Sequence, residues 1–224
     1  MSHVTIEYKQ MVLEKPLANE SRWPISHLIS AIGLMVFLII LFLVIGSQFV
    51  SSDSVVVDIG TFIIELIGIL YLNSKYPMSF FPVEDFKRVL IYGFGWSLLP
   101  LSIFIYQIIN QIFKTPADYE RFQLLGYIGK SWFFLANTIL PAFFEETLFR
   151  GYFYRILRNR LDIFWGLAIS TFLFAAIHGF PGYIIMQSLL YTYVYEKTGS
   201  IWGSSLTHFM NNFVWFYLAY SIVR

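Results

Sequence analysis

The chain has no cysteine and little charge: Asp, Glu, Lys and Arg make up 13% of its 224 residues, against 57% hydrophobic ones. The missing cysteine excludes disulfides, thiolate metal sites and cysteine nucleophiles. The shortage of charge excludes an ordinary soluble domain, which carries about 25% charged residues. The net charge of +1 leaves no basic excess to neutralise phosphates, so no nucleic-acid partner is expected. The apolar content excludes a disordered chain. What remains is a polytopic membrane protein: an all-α, transmembrane helical bundle.

A helix needs about 20 apolar residues to cross the hydrocarbon. Leu28 to Ser52 and Val89 to Phe113 contain no Asp, Glu, Lys or Arg. Ile163 to Tyr195 is also free of them, but Gly179-Phe180-Pro181-Gly182 interrupts it, which predicts two helices with a break. Trp202 to Val223 is the last apolar stretch. Two weaker spans are Val55 to Leu72, which carries Asp58 and Glu65, and Trp132 to Phe144, which runs into Glu145-Glu146. The pattern predicts seven spans, or eight if the amphipathic region Phe122 to Ile128 re-enters the membrane.

Residues 1–26 are polar, too long and too acidic for the n-region of a signal peptide. They are expected to form a cytoplasmic tail before a single membrane domain over residues 27–224, whose first span is retained. Lys and Arg favour cytoplasmic loops. With the N-terminus inside, only Lys114, Arg121, Lys130 and Arg224 fall outside, while the Arg155, Arg158, Arg160 cluster falls inside. The expected topology is therefore N-terminus in, C-terminus out. The many aromatics are expected at the membrane interfaces, with no binding role.

Ionisable groups in hydrocarbon are costly and point to function. They concentrate in three places: Glu145 to Arg150, the segment Phe174 to His178, and the segment His208 to Asn212. Residues four apart on a helix share a face. Glu146 and Arg150 can thus form an ion pair, whereas Glu145, about 100° away, is left without that partner. Carboxylates in apolar surroundings can serve as general bases near neutral pH. His208 and Asn212 also share a face and can aim donors at one point. With Arg158–Arg160 as a cytoplasmic turn, Glu145 lies about 20 Å from it and His178 about 25–28 Å. His208 lies about 17 Å beyond Lys197, so the three groups can meet at similar depth.

Each feature alone has a structural reading. An intramembrane histidine bonds neighbouring helices, a Glu–Arg pair latches them, and asparagines glue them. Together, a base candidate, two histidines and an amide donor on three helices match what peptide hydrolysis needs: a base, a water-positioning group and oxyanion donors. Glu65 reads as structural or accessory, because no histidine or arginine accompanies it on its helix.

At these three segments the chain resembles the CPBP family, which includes type II CAAX prenyl endopeptidases and the bacterial CAAX protease self-immunity, or Abi, proteins. The family pattern is Glu-Glu-x-x-x-Arg, then Phe-x-x-x-His, then His-x-x-x-Asn. Glu145-Glu146 with Arg150, Phe174 with His178, and His208 with Asn212 meet it without departure. The resemblance covers roughly Lys130 to Val223. It implies an intramembrane endopeptidase whose site opens toward the cytoplasm. Glu145 and His178 would activate water, His208 and Asn212 would hold the oxyanion, and Glu146 and Arg150 would support the site.

No cofactor is expected. The alternative is zinc held by Glu145, His178 and His208 with water as the fourth ligand; against it, the chain has no His-Glu-x-x-His helix. The resemblance also implies a small hydrophobic or membrane-associated peptide as substrate, such as a bacteriocin, a pheromone or a CAAX-like protein, cleaved in a bacterial plasma membrane. The sequence leaves the oligomeric state open. Two other classes compete with this reading. One is a non-catalytic membrane scaffold or self-immunity protein. The other is a proton-coupled transporter using Glu65 and Glu145, against which stands the lack of any repeat between the halves.

Overall fold

The computed structural model describes residues 24–46, 55–75, 86–109, 127–180 and 182–217, and every element among them is a helix. Three helices precede the motifs: α1 (Ile25–Gly46), α2 (Val55–Lys75) and α3 (Phe86–Ile109). Then come α4 (Tyr127–Asn137), α5 (Ile139–Glu146), a π-helical segment (Thr147–Tyr154) and α6 (Arg155–Arg160). These four join with only Thr138 between α4 and α5, so they form one bent rod. The series closes with α7 (Ile163–Ile177), α8 (Gly182–Thr198) and α9 (Ile201–Tyr217). The helices fall where the charge-poor stretches predicted them. Most of the expected tail, and most of the stretch Phe122 to Ile128, lie outside the described residues.

By length and composition, Ile29–Gly46 and Val56–Lys75 are long and apolar enough to cross a membrane, and Ile163–Ile177 is a shorter apolar helix. The outward faces are apolar too: Phe37, Ile67, Phe164, Phe172 and Ile177 are all exposed. Polar side chains are instead turned inward, with Ser170, Ser188, Ser204 and Thr207 fully buried. Each hydroxyl is satisfied locally or by a neighbour; Thr207 Oγ1, for example, donates to the Gly93 carbonyl at 3.0 Å, tying α9 to α3.

The motif helices are set by one helical hairpin. Asp162 caps α7 by accepting from the Trp165 amide at 2.8 Å, which starts the return helix at once. Gly166 then lies against the α6 backbone: a Cβ there would sit 2.8 Å from the Arg158 amide nitrogen. Replacing Gly166 by Ala is expected to lower the thermal unfolding midpoint of the purified protein, corresponding to about 1–3 kcal/mol of overpacking. An unchanged midpoint would mean that the two arms separate without cost. Because the hairpin is tight, residues equally far from its turn meet at one height. Glu145 and His178 stand sixteen and seventeen residues from Leu161.

The aromatics are not confined to interfaces, as the composition suggested. Tyr152, Tyr154, Tyr191 and Tyr195 are buried in the interior. A tyrosine combines a large apolar ring with a hydroxyl handle, so it suits a core whose polar groups must also be satisfied. Tyr154 accordingly donates to Glu196 Oε1 at 2.7 Å, and Glu196 also accepts from Arg158 Nη2 at 3.0 Å.

Candidate active site

Glu146 ends α5 with no exposed surface. A buried carboxylate persists only when paired and hydrogen-bonded. Here Arg150 Nη1 donates to Glu146 Oε1 at 2.9 Å, and His208 Nδ1 lies 3.0 Å from the same oxygen. Arg150, equally buried, extends the network to α8. Its Nη2 donates to the Ser188 carbonyl at 2.9 Å and to the Ser188 hydroxyl at 2.8 Å, and its Nε donates to Thr192 Oγ1 at 3.4 Å. The guanidinium carbon lies 4.7 Å from the Phe174 ring centroid and 5.3 Å from that of Tyr191. One arginine therefore joins α5, α7, α8 and, through Glu146, α9.

Arg150 projects from the π-helical segment. Such wide turns inside α-helices occur mostly at functional sites, and nothing in the local sequence signals this one. The four-residue spacing to Glu146 still works because the pair begins on the last residue of α5.

Glu145 escapes this network, as the helix geometry predicts. Its side chain is 26% exposed, and Oε2 lies 3.7 Å from His178 Nε2. That oxygen makes no hydrogen bond among the described residues. The carboxylate is also within electrostatic reach of His208, Glu146 and Arg150. His178 follows the last residue of α7, and its Nδ1 lies 2.7 Å from the Phe174 carbonyl oxygen. A carbonyl only accepts, so the geometry assigns the ring proton to Nδ1 and leaves Nε2 facing Glu145. Phe174 also lays its ring 4.6 Å from the imidazole, 30° from parallel. The Phe-x-x-x-His spacing therefore supplies both a carbonyl and a ring to the histidine.

On α9, His208 is buried and its ring lies 4.6 Å from that of Tyr191, 14° from parallel. Asn212 is half-buried and makes no side-chain hydrogen bond among the described residues. Its neighbour Asn211 is the buried one, donating from Nδ2 to the Tyr191 hydroxyl. The structure thus brings Glu145 to His178, and Glu146, Arg150 and His208 into one network. It joins Asn212 to neither by a hydrogen bond. His208, expected to pair its donors with those of Asn212, commits Nδ1 to Glu146 and has only Nε2 left.

Sequence reasoning passed over Ser188, Tyr191 and Thr192 on α8, which it read only as part of a span. The signal was there: Ser188 and Thr192 are one turn apart, with Gln187 and Tyr191 beside them. It read Glu65 as structural or accessory. Glu65 interacts electrostatically with Glu145, and Phe62, one turn earlier on α2, stacks on Phe144 at 5.7 Å.

Among the described residues, no three His, Asp or Glu side chains group closely enough to hold a metal ion.

Residues 127–214 match the family model described as type II CAAX prenyl endopeptidase Rce1-like. No curated protein and no solved structure matches the chain. The matched stretch opens at the first residue of α4 and contains every motif residue of the site, in agreement with the CPBP pattern. This match over residues 127–214 supports the resemblance of the motif-bearing part of the chain to the CPBP family of type II CAAX prenyl endopeptidases.

Proposed function

We propose that the protein is a multi-pass intramembrane endopeptidase that hydrolyses a peptide bond in a small hydrophobic or membrane-associated peptide. The observation that carries this reading is the pairing of Glu145 Oε2 with His178 Nε2 at 3.7 Å. That distance is too long for a direct hydrogen bond and suits two acceptors that share one water molecule. With its proton on Nδ1, neutral His178 presents a lone pair, and the Glu145 carboxylate presents another. A water donating to both is polarised toward hydroxide and attacks the scissile carbonyl carbon. Its proton passes to Glu145 and then to the departing amine nitrogen as the C–N bond breaks.

The negative charge that develops on the carbonyl oxygen needs donors. His208 spends Nδ1 on Glu146, so its contribution comes from Nε2, which takes a second proton from solvent when substrate binds and then donates to the oxyanion while Glu146 balances the charge. Asn212, one turn further on the same face of α9, supplies an amide donor. Glu146 and Arg150 hold His208 in place. These side chains carry the reaction without a metal.

The family's prenyl-protein specificity supports a substrate that brings its own membrane anchor, of CAAX, bacteriocin or pheromone type. The apolar outer faces and inward polar groups support burial in the bilayer. The basic cluster Arg155, Arg158 and Arg160 supports a cytoplasmic α6–α7 turn, with the N-terminus inside and the C-terminus outside.

The test is comparative mass spectrometry of membrane and secreted peptides from cells carrying the intact protein or Glu145→Ala at equal abundance. The expected result is loss of a cleaved peptide and accumulation of its precursor. Matching peptide pools, with a phenotype still seen on deletion, would put the scaffold reading in its place.

A further inference from the structure

Phe174, which lies against His178, has a counterpart on the other side of the site that no motif includes. Tyr191 of α8 is 1% exposed, and its ring lies face to face with His208 at 4.6 Å. The Arg150 guanidinium lies over the same ring at 5.3 Å. A continuous chain of ring and guanidinium contacts therefore runs from His178 through Phe174, Arg150 and Tyr191 to His208.

We infer that Tyr191 is a positioning residue for His208, its ring face holding the imidazole so that Nδ1 stays on Glu146 and Nε2 points into the site. An imidazole on a single hydrogen bond can turn about its Cβ–Cγ bond, which carries Nδ1 off Glu146, puts Cδ2 in its place and frees the ring proton to move between the two nitrogens. A parallel aromatic face removes that freedom, because the ring must lose the stacking contact to rotate. The face also attracts cationic partners, and both of its neighbours here, the guanidinium and the imidazolium of the reacting state, are of that kind. The Tyr191 hydroxyl has a separate task. It accepts from Asn211, one further contact between α8 and α9. Asn211 is turned to α8, while His208 and Asn212 share the neighbouring face.

The reaction that Tyr191 serves rests on the endopeptidase reading, but its effect on the ring of His208 is measurable without any substrate. The full chain, labelled with ¹⁵N-histidine in detergent micelles, is compared with Tyr191→Phe and Tyr191→Met, the His208 signals being assigned by their loss in His208→Gln. The native chain and Tyr191→Phe are expected to show one His208 form with Nδ1 protonated. In Tyr191→Met the two nitrogen shifts are expected to move toward a common average. An unchanged pattern in the Met variant, or a changed one in the Phe variant, would overturn the assignment. Should the Met variant not be recovered folded, Tyr191→Leu, which equally lacks a ring face, is compared in its place.

Cleavage of a farnesylated CAAX-motif peptide provides the kinetic counterpart. Tyr191→Met is expected to lose about 10²-fold in kcat with KM unchanged, the size of effect that small misplacement of a reacting group causes. Tyr191→Phe is expected to retain the native rate. Failure of the native chain itself to cleave the peptide would count against the endopeptidase reading, and the ¹⁵N pattern would still decide the role of Tyr191.

Discussion

Glu145→Gln is expected to lower peptide hydrolysis by about 10⁴-fold or more while leaving the stability of the protein unchanged. The two halves of this expectation come from the same geometry. The amide keeps the shape of the carboxylate but cannot take a proton from water, so the reaction loses its base. Stability is spared because Glu145 supports little. It is 26% exposed, and its Oε2 lies 3.7 Å from its nearest partner, so the substitution breaks no short hydrogen bond of that oxygen. A change within about 0.5 kcal/mol is the norm for such positions. Single-turnover cleavage of a farnesylated CAAX peptide by equal amounts of folded protein measures the first half, and thermal unfolding the second. A loss smaller than about tenfold would move the base role to another group, with Glu146 the next carboxylate in the chain. The same assay in the presence of EDTA is expected to run at the uninhibited rate. Loss of cleavage that only added zinc restores would assign Glu145, His178 and His208 to a metal after all.

Arg150→Met is expected to have the opposite character, a large loss of stability of about 3–5 kcal/mol. Arg150 and Glu146 both have no exposed surface, so removing the cation leaves a buried carboxylate with only His208 to balance it. The variant also strips donors from the Ser188 carbonyl, the Ser188 hydroxyl and Thr192, which tie α8 to the π-helical segment. Adding Glu146→Gln is expected to recover part of the loss, because a neutral amide does not need a counter-charge. Unfolding midpoints of the two variants in one detergent test this directly. A single variant as stable as the native chain would mean that the buried pair contributes nothing to the fold. Glu145 and Glu146 are neighbours in the chain, yet one is expected to fail in chemistry and the other, with its partner, in folding.

That contrast was already legible without coordinates. Adjacent helical residues point about 100° apart, so only one glutamate can meet Arg150. The choice of Glu146 follows from the four-residue spacing. That Glu145 and His178 can meet at similar depth was legible as well, from their distances along the helices to the basic turn. The helical segments followed from long stretches free of charge, and the break at Gly179 to Gly182 from its turn residues. All of these depend on local periodicity or on distance along a helix, which sequence order determines.

What only the tertiary structure decided is the set of partners that helices present to one another. The direction of His208 Nδ1 toward Glu146 depends on how α9 is rotated against α5, and no spacing within α9 contains that angle. The π-helical turn under Arg150 has no sequence signature. The placement of Tyr191 between Arg150 and His208, and of Asn211 rather than Asn212 in the core, likewise comes from side chains meeting across three helices. The sequence by itself therefore determined the helices, the family pattern and which glutamate is paired. Packing between the helices determined what each histidine faces, because rotation about a helix axis is set by its neighbours and not by its own residues.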